Sequence, residues 1–207
     1  LQFAHPEWIV SRWLERFRFE RLEKMLAADN VPPPNTVRIN TMKTETKDIH
    51  VLQQMLLKNE KTHSDRRNLR CSLHLREFPT LDEDSLFAQG YYTFQDEASQ
   101  LIALLVDPKP GEVIVDACAG PGGKLSHTYE LANGEAKIFA VERSKSQFAR
   151  AQETMQRLGH EAGVTWVLDD FLNWQPEAKV DKVLLDAPCT GLGVLRRHPE
   201  GKWHKDL

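Results

Sequence analysis

Residues 113–124 of this 207-residue chain read VIVDACAGPGGK, and this stretch decides the fold class. Its first four residues are a short apolar run ending in an aspartate, of the kind that is buried in a parallel sheet. The following residues are mostly small, include three glycines and end in Lys124. The stretch therefore predicts a strand followed by a glycine-rich turn, at the edge where open α/β sheets bind their ligands.

Around this stretch, predicted helices and strands alternate from residue 96 onward. Apolar periodicity predicts helices over 96–106, 122–132 and 145–158, and strands over 113–116, 137–141, 164–168 and 182–186. Ser144 and Gly159 have the residue types expected just before and just after the last helix. The predicted buried face of that helix consists of Phe148, Ala151, Met155 and Leu158. This alternation predicts a doubly wound parallel α/β sheet with right-handed crossovers.

Residues 1–95 are predicted to form a separate, small α+β unit. An apolar stripe from Trp8 to Met25 predicts one helix over residues 6–28, which ends before the prolines that follow Asn30. Further along, the pattern predicts strands over 36–40, 72–77 and 90–94 and a helix over 45–58. The predicted domains are therefore 1–95 and 96–207.

The composition excludes several classes of protein. With 27 Lys+Arg against 30 Asp+Glu, the chain is not uniformly basic, although a local basic patch remains compatible with nucleic-acid binding. No apolar run is long enough to span a bilayer, and the first residues lack a secretory leader pattern. The three cysteines form no metal-binding or disulfide pattern, which favours a reducing, cytoplasmic setting without a structural metal. Because the chain begins at Leu1, we expect it to be part of a longer protein.

The glycine-rich turn matches neither of the two common phosphate-binding loops. A Walker loop would need glycine at position 118 and Ser or Thr at 125, where the chain has Cys118 and Leu125. The glycines also have the wrong spacing for a dinucleotide fingerprint. We expect the turn to bind a ligand through its closely approaching backbone; the alternative is a tight turn without a ligand. The candidate residues are Cys118, Ala119, Gly120, Pro121, Gly122, Gly123 and Lys124.

Acidic residues end the next two predicted strands. Glu142 follows the strand 137–141, a position from which a carboxylate accepts hydrogen bonds from ribose hydroxyls. The alternative for Glu142 is a surface ion pair with Arg143. Asp169 and Asp170 follow the third strand, and because adjacent side chains point to opposite sides, only one faces the pocket. We prefer Asp170 for an adenine contact, with Asp169 or a solvated strand end as alternatives.

The fourth strand leads into Asp186-Ala187-Pro188-Cys189-Thr190-Gly191. A carboxylate, a proline-stiffened turn and a cysteine at a strand end are together a candidate reactive site, although a lone cysteine is more often a small apolar residue. The following stretch 196–205 is rich in basic residues and contains a tryptophan. Its predicted RNA contacts are Arg196, Arg197, His198 and Lys202; the alternative is a solvated loop.

These motifs in this order resemble the RNA 5-methylcytosine methyltransferases, most closely the bacterial Sun/Fmu (RsmB-like) rRNA enzymes. The resemblance covers nearly the whole chain and is most specific at residues 186–191, 196–199 and 202–203. It implies a class I methyltransferase fold that binds S-adenosyl-L-methionine through Cys118–Lys124, Glu142, Asp170 and Asp186. It also implies an RNA substrate, rRNA or tRNA, and an RNA-binding subdomain at the N-terminus.

The resemblance further implies chemistry that depends on a thiolate. In such enzymes a cysteine adds to carbon 6 of cytosine so that carbon 5 can attack the methyl group, and a base then removes the carbon 5 proton. Cys189 and Asp186 are the catalytic candidates here, Cys189 matching the cysteine that assists product release. The nucleophile of the family lies in a Thr-Cys motif further along the chain, so we expect these 207 residues to be catalytically incomplete. As an alternative, Cys189 is itself the nucleophile.

Two other functions remain open from the sequence. One is a class I methyltransferase with a different substrate, and the other is a non-catalytic RNA-binding module with a relic cofactor pocket. The sequence also predicts that the fourth strand exposes apolar surface, with self-association through that sheet edge as its consequence.

Overall fold

A computed structural model describes residues 3–44, 71–75, 81 and 85–203. These residues form two compact units, one of residues 1–34 with 188–207 and the other of residues 35–187. The predicted boundary at residue 95 falls inside the second unit, and as a functional division it stays a prediction. The predicted helix over 45–58 lies outside the described residues.

The first unit contains two α-helices where the sequence predicted one. Helix α1 spans Glu7–Leu14 and α2 spans Phe19–Asp29. The prediction of one helix over 6–28 is wrong because Ile9 and Leu22 are both buried. On one continuous helix their side chains would point about 140° apart. The helix is interrupted at residues 15–18, where the five-residue step from Phe17 to Leu22 that departs from helical spacing begins. Two short 3-10 turns, Leu192–Val194 and Pro199–Lys202, complete this unit.

The second unit begins with an antiparallel three-stranded sheet. Its strands are β1 (Asn35–Ile39), β2 (Ser72–Leu75) and β3 (Tyr92–Phe94), with β1 in the centre. Four of the five residues of β1 are buried. Val37, Ile39, Leu73, Leu75 and Tyr92 form its apolar cluster. The predicted strands over 36–40 and 90–94 are therefore confirmed to within two residues, as are residues 72–75 of the strand predicted over 72–77, whose last two residues lie outside the described part of the chain.

The second unit continues with the predicted parallel sheet. Its elements are α3 (Glu97–Val106), β4 (Val113–Asp116), α4 (Gly123–Leu131), β5 (Lys137–Val141), α5 (Lys145–Leu158), β6 (Val164–Val167) and β7 (Lys182–Leu184). The strand order is β6-β5-β4-β7, with all neighbours parallel. Because the chain leaves β4 toward β5 and returns on the other side as β7, the carboxyl end of β4 is the topological switch point of the sheet.

Both faces of the parallel sheet carry apolar clusters. Ile114, Ile138 and Ala140 pack with Leu125, Tyr129 and Met155 from α4 and α5 on one face. Val115, Ala117 and Val141 form the other face, against partly buried Phe171 and Trp174. The Ser144 hydroxyl accepts from the backbone N–H of Gln147, and Gly159 ends α5 with a positive φ, as predicted. Of its predicted buried face, only Phe148 is partly exposed. At the other end of the sheet Val183 is 52% and Leu185 62% exposed.

Candidate cofactor site

The carboxyl end of β4 opens into a cavity of about 200 Å³. Its lining includes most of the glycine-rich turn together with Asp186, which follows β7. The other side of the cavity is formed by residues of β3 and the start of α3. The lining residues are Phe94, Gln95, Asp96, Ser99, Cys118, Ala119, Gly120, Pro121, Gly123, Lys124 and Asp186.

Gly120 leaves no room for a side chain. A Cβ atom there would lie 2.5 Å from Cβ of Gln147 and 2.8 Å from Oε2 of Glu142. The same Glu142 oxygen accepts from the backbone N–H of Gly120 (3.1 Å), and its other oxygen accepts from Ser144 N–H (2.8 Å). Glu142 therefore stabilises the turn through the backbone N–H of Gly120 and does not line the cavity. Each of its oxygens keeps a second lone pair with which to accept from a ligand hydroxyl.

Gly122 differs from its glycine neighbours because it faces the protein interior. Its φ of +94° is the left-handed conformation that glycine adopts without strain, and it precedes the first turn of α4. A Cβ on Gly122 would lie 3.1 Å from Cα of Ala151. Gly122 allows α4 and α5 to approach closely, and its predicted contact with a cofactor stays a prediction.

Helix α4 begins without a side-chain cap and without an acidic residue in its first turn. The backbone N–H groups of such a turn lack intrahelical partners and favour an anionic ligand. Lys124 in this turn donates to Asp186 over 2.5 Å, which joins the ends of β4 and β7 across the cavity. This ion pair and the uncapped turn give the cavity both a carboxylate and free backbone donors.

Asp116, which the sequence analysis did not single out, does not line the cavity but is hydrogen-bonded to Cys118, which does. The side chain is 3% exposed, Oδ1 accepts from Cys118 N–H (3.3 Å), and Oδ2 has no hydrogen-bond partner. Burial, with the nearby charges of Asp186 and Glu142, raises the pKa of Asp116 to about 7. The signal was present in the sequence as an acidic residue that ends an apolar strand directly before the glycines.

Other groups in this region are held by local contacts. Asp170 accepts from Leu172 N–H (3.0 Å) and lies 3.5 Å from an Arg143 nitrogen. It does not line the cavity, and Arg143 pairs with it rather than with Glu142 as the alternative supposed.

Burial and the surrounding carboxylates raise the pKa of the Cys118 thiol.

Cys189 belongs to the other compact unit and is exposed. Its Sγ accepts from the backbone N–H of Gly191 over 3.4 Å. Cys71, Cys118 and Cys189 form no disulfide bond. The catalytic role of Cys189 stays a prediction.

The basic stretch of the first unit binds a segment of its own chain. Arg196 donates to the carbonyls of Val31 (2.8 Å) and Pro32 (3.0 Å). Arg197 donates to Pro34 O (2.9 Å). The roles of both arginines toward RNA stay predictions, because these contacts give each of them a partner within the protein.

The two other predicted RNA contacts differ in exposure. Lys202, 3% exposed, donates to Asn30 Oδ1 (2.8 Å). His198 lies 3.2 Å from Glu200 on the surface. Of the two, His198 alone is exposed in the described structure.

A larger cavity of about 410 Å³ adjoins the candidate site and shares Phe94, Pro121 and Gly123 with it. Its remaining walls come from the loop before β3 and from α5. None of the carboxylates at the strand ends lines it, so the smaller cavity remains the candidate cofactor site. The described residues contain no cluster of three or more potential metal ligands, and no described helix has both the length and the apolar character to cross a membrane.

Two family models match the chain. Residues 103–207 match the model of the 16S rRNA methyltransferases RsmB/F, and residues 5–78 match a ferredoxin-like domain of RsmF/B-like methyltransferases. The chain belongs to the RsmB/F methyltransferase family. This is a family of S-adenosylmethionine-dependent rRNA methyltransferases with a Rossmann-like fold, so the resemblance and the fold class that the sequence predicted are confirmed.

Individual RsmB/F relatives cover almost the whole chain. A probable ribosomal RNA small subunit methyltransferase B of Bacillus subtilis is 32% identical over 98% of the chain, and its counterpart in Salmonella paratyphi A is 34% identical over 98%. The chain spans 45% and 46% of these proteins, about half their length. Among solved structures, that of PH0851 superposes with a TM-score of 0.87 at 30% identity, over 99% of this chain and 46% of that one.

Proposed function

We propose that this chain carries the S-adenosylmethionine site of an RNA cytosine-5 methyltransferase that acts on rRNA. The observation that carries the proposal is the convergence of the glycine-rich turn and Asp186 on one cavity at the switch point of the sheet, with buried Asp116 hydrogen-bonded to Cys118 of the cavity lining. Family membership supplies the reaction class, and the Pro188-Cys189 motif supports the choice of cytosine carbon 5. Methylation of an exocyclic nitrogen would need no thiol.

The residues present fit the cofactor, which supplies an electrophilic methyl group on a sulfonium. Oδ2 of Asp116 is a buried acceptor without a hydrogen-bond partner, and such an acceptor would suit a cation or an ammonium group. The uncapped turn of α4 suits a carboxylate. The cavity is smaller than ordinary small-molecule sites of roughly 300–1,000 Å³, so it would hold the methionine end of the cofactor. Glu142 and Asp170 are then assigned to the ribose and adenine.

RNA would be bound by surfaces outside this cavity. The ferredoxin-like segment and the exposed part of the basic stretch are the proposed contacts. A flipped or single-stranded cytosine is required, because the ring faces are covered in a helix. In this assignment Cys189 assists release of product, and the attacking thiol belongs to a part of the enzyme beyond these 207 residues. Self-association through the edge of β7 stays a prediction that sedimentation of the chain would test.

Isothermal titration of the 207-residue chain with S-adenosylmethionine tests the cofactor assignment. We expect saturable binding that Asp116→Ala weakens by about tenfold or more. Asp181→Ala is the matched control, because Asp181 is an exposed aspartate of the same unit outside the cavity. Absence of binding by the unmodified chain, or equal losses in the two variants, would refute the site.

RNA that contains 5-fluorocytosine tests the assignment of the nucleophile. With S-adenosylmethionine present, the thiol adds to carbon 6 and carbon 5 takes the methyl group from the sulfonium. Carbon 5 then carries fluorine in place of the proton that a base would remove, so the thiol is not expelled and remains bonded to the RNA. We expect no covalent adduct with this chain, and an adduct with a chain extended to the full length of its relatives. A Cys189-dependent adduct with the 207-residue chain would instead make Cys189 the nucleophile.

A further inference from the structure

Arg38 is a charged residue buried in the antiparallel sheet. It lies on the central strand β1, opposite Ser72 of β2 and Thr93 of β3, and is only 1% exposed. A buried guanidinium is unfavourable unless its donors find partners inside the protein. The partners of Arg38 therefore show which part of the structure this charge serves.

Three of the four partners of Arg38 lie in α4, and two of the four, Gln95 and Gly123, line the candidate cofactor cavity. Nη1 donates to the carbonyl oxygen of Gly123 (3.0 Å) and to Oε1 of Gln95. Nη2 donates to Oγ of Ser126 (2.8 Å) and to Oε1 of Glu130 (2.8 Å). The planar guanidinium fork thus holds two successive turns of one helix, a geometry that the single ammonium of a lysine cannot reproduce.

The Gly123 carbonyl is the centre of this arrangement. Besides Arg38, it accepts from Nε2 of Gln95 (3.2 Å) and from Oγ of Ser126 (3.0 Å). Gly123 has no side chain with which to anchor itself, so these backbone contacts determine where the turn lies. The cavity lies against the same turn, and both Gly123 and Lys124 line it.

We propose that Arg38 is a positioning residue for the cofactor site, a role that rests on the proposed function of the cavity. Its guanidinium fixes the first turn of α4, so that the free N–H groups of the turn and Lys124 face the methionine end of S-adenosylmethionine. Because Arg38 belongs to β1, the antiparallel sheet is part of the cofactor site and is not solely an RNA-binding surface.

The proposal predicts that the two ends of the cofactor respond differently. The methionine end depends on the turn that Arg38 holds. The adenosine end depends on Glu142 and Asp170, which follow β5 and β6 and make no hydrogen bond with Arg38. 5′-Methylthioadenosine has the adenosine and the thioether but lacks the amino and carboxylate groups, so it reports on the adenosine end alone.

The experiment compares variants of the 207-residue chain by isothermal titration with both ligands. Arg38→Met removes the donors and keeps most of the volume. Arg157→Met is the matched control, because Arg157 also connects a helix to other elements of the unit. It donates to Phe87 O (2.6 Å) in the loop before β3 and to Tyr92 O (3.0 Å) in β3, and makes no hydrogen bond to Gly123. We expect Arg38→Met to weaken S-adenosylmethionine binding at least about tenfold while 5′-methylthioadenosine binding changes less than about twofold.

Arg38→Lys keeps the experiment decisive if Arg38→Met does not fold. It retains the positive charge beside Glu130 but cannot donate to both turns of α4, so we expect about a fivefold loss for S-adenosylmethionine alone. Unchanged S-adenosylmethionine affinity in a folded Arg38 variant overturns the proposal, as do equal losses for both ligands or an equal loss in Arg157→Met. If the unmodified chain binds neither ligand, the cofactor site itself fails, which is a different result.

Discussion

Two charged regions of this protein look equally functional in sequence and differ in structure. At the strand ends of the second unit, Asp116 keeps a buried oxygen without a partner, and the first turn of α4 keeps uncapped donors. In the first unit, Arg196, Arg197 and Lys202 all donate to the segment from Asn30 to Pro34. A cluster of charges therefore indicates a ligand site only where its polar atoms lack partners inside the protein.

The largest loss of cofactor affinity is expected for a substitution in the glycine-rich turn. Gly120→Ala places a methyl group against Gln147 and Glu142, so the turn must move. We expect S-adenosylmethionine binding to fall about 100-fold, the equivalent of about 3 kcal/mol. Titration calorimetry checks this. Gly193→Ala is the control, because a Cβ there meets nothing within 4 Å; equal affinities in the two variants would mean that the turn does not contact the cofactor.

A smaller effect, on stability, is expected in the basic stretch. Lys202→Ala removes a buried ammonium that holds Asn30, so the free energy of unfolding should fall by about 2 kcal/mol. Urea denaturation measures it, with the exposed Lys24→Ala as control. RNA affinity of the folded variant should stay within about twofold of the wild type. A stable variant with weakened RNA binding would show that Lys202 binds RNA. It would contradict the conclusion that the basic residues of the first unit serve internal contacts.

The pH dependence of cofactor binding tests whether the ionised carboxylate of Asp116 contributes to the affinity. Its pKa of about 7 means that the carboxylate becomes protonated as the pH falls below 7, and the ionised form is the one that attracts a cationic ligand. We expect S-adenosylmethionine affinity to fall about tenfold at one pH unit below 7. Asp116→Asn should abolish this dependence, and titrations at pH 6 and pH 8 compare the two proteins.

The same pKa has a consequence for stability. Because the folded state raises the pKa of Asp116 above its unfolded value of 3.8, the folded protein binds the proton more tightly, and this group destabilises the fold as the pH rises from about 4 to 7. Asp116→Asn should therefore unfold at higher urea concentration than the wild type at pH 8, and the difference should shrink toward pH 4. A constant difference between these pH values would contradict the assignment.

The smallest effect is expected at His198, an exposed residue of the basic stretch whose described contact lies within that stretch. Its contact with Glu200 is a surface ion pair, which contributes little to stability. His198→Gln should change the free energy of unfolding by less than about 0.5 kcal/mol. A filter-binding assay should show a loss of RNA affinity of a few-fold or less. Loss of stability without loss of RNA binding would mean that His198 stabilises the fold and, like Arg196, Arg197 and Lys202, has its main partner inside the protein.

The sequence predicted the parallel sheet to within one or two residues because its signals are local. Apolar runs such as Val113–Val115 need burial on both faces, and Ser144 and Gly159 define the ends of α5 through contacts within a few residues. The break between α1 and α2 was missed because the apolar residues from Trp8 to Met25 keep roughly helical spacing, whereas the burial of both Ile9 and Leu22 is a property of tertiary packing. The predicted turn and Asp186 do meet at one cavity, since parallel strands carry their carboxyl ends to one edge.

The amino-acid sequence by itself determined the order of strands and helices, the glycine-rich turn and the family to which the chain belongs. The tertiary structure decided which charged groups are available to a ligand and which are hydrogen-bonded to partners inside the protein. Arg196 and Val31 are 165 residues apart, and Arg38 and Glu130 are 92 residues apart. Partners so distant along the chain meet only when the fold brings them together, so no local pattern distinguishes a binding residue from a structural one.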